Sequence, residues 1–185
     1  MNRLIFFSLI FIIISSCTEE ESSVTRTKQE QLELDLARIQ GYINENNLSG
    51  FSSTDNGLYY KIVEAGNAKF PANGDTLSVE YIGELLDGSE FDRSNTDQPF
   101  EFVLGQGQVI EGWEIGLSKI DEGGSGILII PSGLGYGSAI TSSIPENSVL
   151  IFRIDLIDIN SVSYTHLRAH ETRGNVVCRL LLEKK

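Results

Sequence analysis

Apolar and polar residues alternate along several stretches between residues 57 and 159, a pattern typical of β-strands with one buried face. In one stretch, Leu77, Val79 and Tyr81 alternate with more polar neighbours. In the last stretch, from 149 to 159, the apolar face holds Leu150, Phe152, Ile154 and Leu156, and the opposite face holds Ile151, Arg153 and Asp155. We predict further strands at 57–63, 100–104 and 127–130.

Two other segments show helical spacing. Leu32, Leu36, Ile39 and Ile43 form an amphipathic stripe behind Thr27-Lys-Gln-Glu30, which has the spacing of a capping box. We predict a helix from about Lys28 to Asn46, whose stripe could dock on its own domain, form a dimer contact or bind a partner. A short helix is predicted around Trp113, because Ile110, Trp113 and Leu117 share one side. Many strands around one helix indicate an α+β domain.

Turn signals separate these elements and expose a few chemically useful side chains. Asp87-Gly88 predicts a hairpin turn, and Phe91-Asp92 then places an aromatic ring beside a carboxylate. A later glycine-rich loop carries Tyr136. The result is an aromatic-lined cavity with one acid and one phenol, and without a His, Cys or Ser arrangement suited to covalent chemistry.

Four ordered motifs carry a family resemblance. They follow the patterns V-x-Y-x-G-x-L-x-D-G-x-x-F-D-x-S, V-I-x-G-W-E-x-G, P-x-x-x-A/G-Y-G and I-P-x-x-x-x-L-x-F. They occupy Val79 to Ser94, Val109 to Gly116, Pro131 to Gly137 and Ile144 to Phe152. In this order they resemble the FKBP-type peptidyl-prolyl cis-trans isomerases, over roughly Gly57 to Ile159.

The resemblance implies a fold, an activity and a set of site residues. The implied fold is an antiparallel half-barrel of five or six strands wrapped around one short helix, preceded here by the N-terminal helix. The implied activity is rotation of X-Pro peptide bonds, with macrolide immunosuppressants as inhibitors. Substrate-binding residues would be Tyr81, Phe91, Phe100, Val109, Ile110, Trp113, Ile144 and Phe152. The alternative function is a non-catalytic FKBP-like chaperone or binding module.

Two polar residues are assigned to catalysis by the same resemblance. Asp92 would lie near the rotating carbonyl, and Tyr136 would donate its hydroxyl to a substrate carbonyl. Each has a structural alternative, a turn or capping acid for Asp92 and a packed loop residue for Tyr136. The family's arginine partner for the acid has no clear counterpart, unless Arg93 substitutes. Gln108 replaces the usual Glu before Val-Ile, which removes a charge but keeps an acceptor.

The N-terminus has the pattern of an export signal. Leu4 to Ile14 is almost wholly apolar behind Arg3, but this run is shorter than the ~20 residues that span a bilayer. Residues 1–16 are therefore a predicted signal peptide. The segment before Cys17 resembles the bacterial lipobox, which implies acyl chains such as palmitate on Cys17 and a membrane anchor in the cell envelope. A plain secretory signal with an incidental cysteine is the alternative.

The remaining boundaries follow from composition. Residues 17–27 are polar and acidic, which indicates a flexible tether or a Bacteroidota-like surface-export signal. Residues 28–50 would hold the helix and a linker, and 51–160 the isomerase domain. Within the basic segment 161–185, the stretch Ser163 to Lys185 resembles a translated sequencing adapter. We therefore predict that the segment is non-native or dispensable. A native basic extension that contacts the acidic domain or anionic lipid is the alternative.

Charge and residue usage exclude nucleic-acid-binding and metal-dependent classes of protein. The net charge is −12, with 14 basic and 26 acidic residues, so nucleic acid is a poor partner. We expect no cofactor and no metal site, because His166 and His170 both follow the last predicted strand. Acylation of Cys17 would leave Cys178 without a disulfide partner. The sequence leaves the oligomeric state open.

Overall fold

A computed structural model describes residues 27–161, except Thr96 and Ser142. The predicted signal peptide, the Cys17 lipidation site, most of the tether and nearly all of the tail lie outside these residues. Within the described range, none of the helices has the length and apolar character needed to span a membrane.

In the described part of the chain, seven strands form one antiparallel sheet, in the order β1-β2-β6-β7-β3-β4, with β5 also paired to β3. The strands are β1 (Ser52–Ser53), β2 (Tyr59–Glu64), β3 (Thr76–Leu85), β4 (Glu90–Arg93), β5 (Phe100–Val103), β6 (Ser125–Ile130) and β7 (Leu150–Asn160). Five or six strands were expected. The count is higher because β1 is a short addition, and because β4 and β5 pair with opposite ends of β3 as two separate strands.

Helix α2 (Glu111–Leu117) packs against the inner face of the sheet and buries Trp113 and Leu117. Two glycines make this close approach possible. A Cβ atom at Gly112 would collide with the side chain of Ile130, and one at Gly116 with that of Leu128. The α2 glycines therefore set how deeply Trp113 is buried in the main core, the larger apolar cluster, which also includes Leu77, Leu128 and Phe152.

Helix α1 (Lys28–Glu45) begins with the predicted capping box. The Thr27 hydroxyl accepts the Glu30 backbone N–H at 3.2 Å, and the Thr27 N–H donates to the Glu30 carboxylate at 2.9 Å. The helix docks on its own domain, because Ile39 is fully buried in a second apolar cluster with Ile129 and Ile151. Ile151 was expected on the polar face of the last strand, and α1 is the reason that it is covered.

The predicted turn at 121–124 is held by two carboxylates. Asp121 accepts the backbone N–H groups of Gly66 at 2.9 Å and Ala68 at 2.7 Å, and these bonds lower its pKa. Glu122 contacts the Lys69 ammonium at 2.8 Å and accepts the Ile159 N–H at 2.8 Å. Hydrogen bonds from Lys69 and then from the Asn67 amide lower the Glu122 pKa to about 2. These bonds tie the turn to the end of β7.

Candidate functional site

The aromatic side chains of the sheet and α2 meet around Trp113. Its ring centroid lies 4.9 Å from that of Tyr81, 5.2 Å from that of Phe152 and 6.1 Å from that of Phe100, all with edge-to-face geometry. Trp113 and Phe152 are 4% and 3% exposed, whereas Tyr81 and Phe91 are half-buried and Phe100 is 40% exposed. We call this set of five rings the aromatic cluster. It has a buried floor and partly exposed sides.

Gly83 makes room for two of these rings. It pairs with Asp92 on β4 and with Phe152 on β7. An added Cβ atom would lie 2.7 Å from Phe91 and 3.0 Å from Phe152. The two rings instead meet edge to face at 5.5 Å. The sequence motif contained this glycine, but its spacing gave no sign of the ring contact that it permits.

The carboxylate of Asp92 lies at the edge of the aromatic cluster. One oxygen accepts the Tyr81 hydroxyl at 2.8 Å, and the other accepts the Arg93 backbone N–H at 2.9 Å. Burial, and then the hydrogen bond to Asp92, raise the pKa of Tyr81, so its phenol stays protonated and keeps donating. Tyr81 is therefore a polar partner of the acid as well as the expected apolar wall.

Tyr136 follows the short 3₁₀ turn Ser132–Leu134 and is 41% exposed. Burial, and then the negative charge of Asp92, raise the pKa of its hydroxyl. The two residues assigned to catalysis from the sequence thus lie close enough to interact electrostatically. A phenol kept protonated in this way can serve as a hydrogen-bond donor.

Comparison with known proteins identifies the fold. The family model described as FKBP-type peptidyl-prolyl cis-trans isomerase matches residues 67–157. This domain is a member of the FKBP-type family. FkpA of Escherichia coli (strain K12) is 44% identical over 111 residues, which are 60% of this chain and 40% of that protein. FK506-binding protein 4 of Gibberella zeae is 46% identical over 94 residues, 51% of this chain and 19% of that protein.

Solved structures agree with this assignment. The crystal structure of FkpA from Escherichia coli has a TM-score of 0.61 and 38% identity, and the match covers 72% of this chain and 64% of that one. A peptidyl-prolyl cis-trans isomerase from Pseudomonas syringae has a TM-score of 0.61 at 27% identity, with 74% and 98% covered. The chain spans about two fifths of the length of the curated FkpA sequence.

Arg93 does not provide an ionic partner for Asp92 in this FKBP domain. Its guanidinium instead forms a two-point contact with Glu90, with Nε 2.6 Å from Oε1. Both residues are exposed, and the Arg93 guanidinium is paired with Glu90 rather than with Asp92. Gln108 keeps an acceptor as expected, because its Oε1 accepts the Val103 N–H at 2.9 Å.

The loop after Tyr136 turns Ile144 inward. The Thr141 hydroxyl accepts the Ile144 N–H at 3.0 Å, and this local turn directs Ile144 into the main core, where it is 5% exposed. The exposed apolar side chain of the loop is Ile140, at 77%. Sequence reasoning missed Ile140, since an isolated isoleucine in a small-residue loop carries no periodic signal. Val109 and Ile110, both half-buried, pack against the same core.

The indole N–H of Trp113 is buried and has no hydrogen-bond partner among the described residues. An unsatisfied buried donor costs about 1–3 kcal/mol, and such exceptions often mark functional sites. The residue is thus held by its shape against the other rings rather than by a polar contact. An open groove of about 810 Å³ lies elsewhere, between α1 and the 131–147 segment, and contains none of the cluster rings.

Proposed function

We propose that the protein is a peptidyl-prolyl cis-trans isomerase that accelerates X-Pro rotation in exported proteins. The observation that supports this most is the aromatic cluster around Trp113, bordered by the hydrogen-bonded pair Tyr81 and Asp92. The family membership of residues 67–157 supports the same activity. Proline-containing polypeptides are the proposed substrates.

The reaction breaks no covalent bond. The barrier of ~18–20 kcal/mol comes from amide resonance, which is lost as the C–N bond turns. A twisted amide is less polar than a planar one, so an apolar pocket that excludes water favours it relative to solution. A thousandfold acceleration needs only about 4 kcal/mol of such differential binding.

Each part of the site has a proposed contribution to binding the twisted amide more tightly than the planar one. The rings of Trp113 and Phe152 form the floor beneath the prolyl ring, and Phe91 and Phe100 form its sides. A carboxylate at Asp92 lies near the carbonyl oxygen, whose partial negative charge is smaller in the twisted amide, so its repulsion disfavours the planar state. Tyr136 donates to a neighbouring carbonyl and holds the chain while the bond turns. Together these contacts favour the transition state over the ground state.

Macrolides of the FK506 type are proposed to occupy the same pocket. The relatives that carry the name FK506-binding protein are 43–46% identical over the matched region. The five rings of the aromatic cluster provide the apolar surface that such a ligand would cover. Inhibition of isomerisation by FK506, in proportion to its binding, would link the ligand to the catalytic pocket.

Exchange NMR on an X-Pro peptide, with and without the purified protein, tests the activity directly. We expect cis-trans exchange to become faster with the wild-type protein and to lose most of that acceleration in Phe91→Ala. Phe70→Ala is the matched control, because Phe70 is 56% exposed and lies outside the aromatic cluster. Binding of the peptide without faster exchange would instead favour the non-catalytic chaperone function.

We further propose that the protein is a lipid-anchored component of the cell envelope. The apolar run Leu4 to Ile14 and the lipobox-like segment ending at Cys17 support this. Cys17→Ala is expected to release a soluble form from the membrane fraction and to abolish fatty-acid labelling. Cys178→Ala, which changes the other cysteine, is the control. Unchanged labelling in Cys17→Ala would favour an ordinary secretory signal.

A further inference from the structure

Helix α1 carries a fully buried carboxylate, Asp35, that contacts the start of the loop holding Tyr136. Its Oδ2 accepts the Ser132 N–H at 2.8 Å and the Ser132 hydroxyl at 2.5 Å. Its Oδ1 accepts the Gln31 side-chain amide at 2.8 Å. Burial of a carboxylate is costly unless hydrogen bonds compensate, so these contacts must form together when α1 docks.

A second contact joins α1 to the other end of the same loop. The Arg38 guanidinium donates to the Asn147 carbonyl at 3.1 Å. The Asn147 N–H donates to the Gly137 carbonyl at 2.7 Å, and the Gly137 N–H donates to the Ser132 carbonyl at 2.9 Å. Asp35 and Arg38 therefore hold both ends of the segment 132–147, with Tyr136 between them.

Packing alone does not explain Asp35. The apolar contact of Ile39 with Ile129 and Ile151 already docks the helix. An apolar residue of similar volume in place of a buried charged group is often neutral or stabilising. A buried acid that accepts two hydrogen bonds from Ser132 fixes the position of that residue, which an apolar contact would leave free to slide.

We propose that Asp35 is a positioning residue of the isomerase site and that α1 sets the place of the Tyr136 hydroxyl through Ser132. This inference rests on the proposed function. Helix α1 lies before the residues that match the family model, 67–157, so it is an addition to that core which acts on the site. The Tyr136 side chain is 41% exposed, and domain packing alone restrains it little.

A double-mutant cycle on kcat/KM tests the inference. Tyr136→Phe in the wild-type background is expected to lower kcat/KM on the order of fivefold, the value of one hydrogen bond. In an Asp35→Ala background the additional loss from Tyr136→Phe should be less than twofold, because a displaced hydroxyl no longer contributes. Asp35→Asn, which keeps an acceptor for Ser132, should restore part of the coupling. Ile39→Val is the matched control, and its effect should be independent of Tyr136→Phe.

Amide hydrogen exchange provides a readout that does not depend on activity. Asp35→Ala is expected to speed exchange at the Gly137 and Asn147 amides while leaving amides in the β3–β7 ladder unchanged. If Asp35→Ala folds poorly, Arg38→Ala serves instead, because this side chain is 48% exposed. Its loss removes the bond to the Asn147 carbonyl and a 3.5 Å contact with Asp35 Oδ1, and leaves in place the Ser132 bonds to Asp35 Oδ2. A uniform increase at all amides would indicate general destabilisation and overturn the inference.

The double-mutant cycle and the amide-exchange measurement distinguish failure of the positioning proposal from failure of the isomerase function. Two results in an active enzyme would refute the positioning proposal but not the isomerase function. One is that the effects of Asp35→Ala and Tyr136→Phe on kcat/KM are fully independent. The other is that Tyr136→Phe has no effect in the wild-type background. A wild-type protein that leaves X-Pro exchange unchanged would refute the isomerase function. The exchange of the Gly137 and Asn147 amides would then still show whether α1 holds the loop.

Discussion

The hydroxyl of Tyr81 lies 2.8 Å from a carboxylate oxygen of Asp92, and the Tyr81 ring stands edge to face 4.9 Å from Trp113. One side chain thus contacts both the apolar floor and the only carboxylate assigned to the reaction. The orientation of Asp92 depends on a phenol that the aromatic cluster already fixes. This linkage leads to the first prediction.

Tyr81→Phe keeps the ring and removes the hydrogen bond to Asp92. We expect a stability loss of about 1 kcal/mol, typical of one hydrogen bond, and a larger proportional fall in kcat/KM, because Asp92 becomes free to rotate away. Urea denaturation and peptide exchange kinetics measure the two effects. Tyr59→Phe is the control, since it removes a hydrogen bond to Gln40 of α1 instead. Equal kinetics in the two variants would contradict the linkage.

Gly83→Ala is expected to disturb the site without strain in the backbone. The added methyl would lie 2.7 Å from Phe91, and relieving that contact should cost about 1–3 kcal/mol and displace the ring. FK506 affinity should fall along with the melting temperature. Gly41→Ala is a control of opposite sign, because this helical glycine has nothing within 4 Å of the new methyl and should gain about 0.5–1 kcal/mol. Unaltered FK506 binding in Gly83→Ala would show that Phe91 does not line the pocket.

The two aromatic truncations should behave differently. Phe91→Ala removes a half-buried wall and is expected to weaken FK506 binding at least tenfold in a folded protein, as measured by calorimetry. Trp113→Ala removes a 4% exposed ring and should cost about 3–5 kcal/mol, a large part of a domain's stability. A thermal melt therefore has to accompany each binding measurement. A Trp113→Ala variant that melts like the wild type would place that ring outside the core.

Glu122 should make stability depend on pH in the acid range. Its pKa is lowered to about 2 in the folded protein, so its contribution is complete above the unfolded value of about 4.5 and is lost as the pH falls through 2. The melting temperature of Glu122→Gln should be lower than that of wild type at pH 7, and the difference should shrink between about pH 5 and pH 2. Exposed Glu101 provides the control, Glu101→Gln, with little difference at either pH. A melting-temperature difference between wild type and Glu122→Gln that stays constant across this pH range would contradict the lowered pKa of Glu122.

Truncation after Asn160 is expected to change neither stability nor activity. Strand β7 already ends at Asn160, paired with Thr76, and Ile159 is 2% exposed in the core. Truncation after Leu156 is the control and should destabilise the domain, because it removes Ile159 and the carbonyl that accepts Lys69. A clear loss on truncation after Asn160 would favour a native extension that contacts the domain.

Local signals predicted the elements of this fold well. The capping box at Thr27 and Glu30, the turn at Asp87-Gly88 and the alternation from Leu150 to Leu156 each depend on residues close in sequence, and the structure contains all three. The ordered motifs placed Tyr81, Trp113 and Phe152 in one cluster because the resemblance supplied the chain path that periodicity lacks.

The features that the sequence did not predict depend mainly on contacts between distant parts of the chain. Asp35 meets Ser132 across 97 residues, and Ile151 is buried in a cluster to which α1 contributes Ile39. Arg93 pairs with Glu90 rather than with the adjacent Asp92, and the spacing of these residues in the sequence did not define that partner. Ile144 is buried and Ile140 is exposed in a loop without a periodic pattern, where the Thr141 hydroxyl accepts the Ile144 N–H.

The divided edge of the sheet limits strand addition by other polypeptides. Its outermost strands are only two or four residues long, and the break between β4 and β5 interrupts the row of free backbone groups. Short edges give an extended chain little template for strand addition, which is a common route to aggregation. Under the proposed function, an extended proline-containing substrate would find a pocket for its prolyl ring and little continuous sheet edge to join.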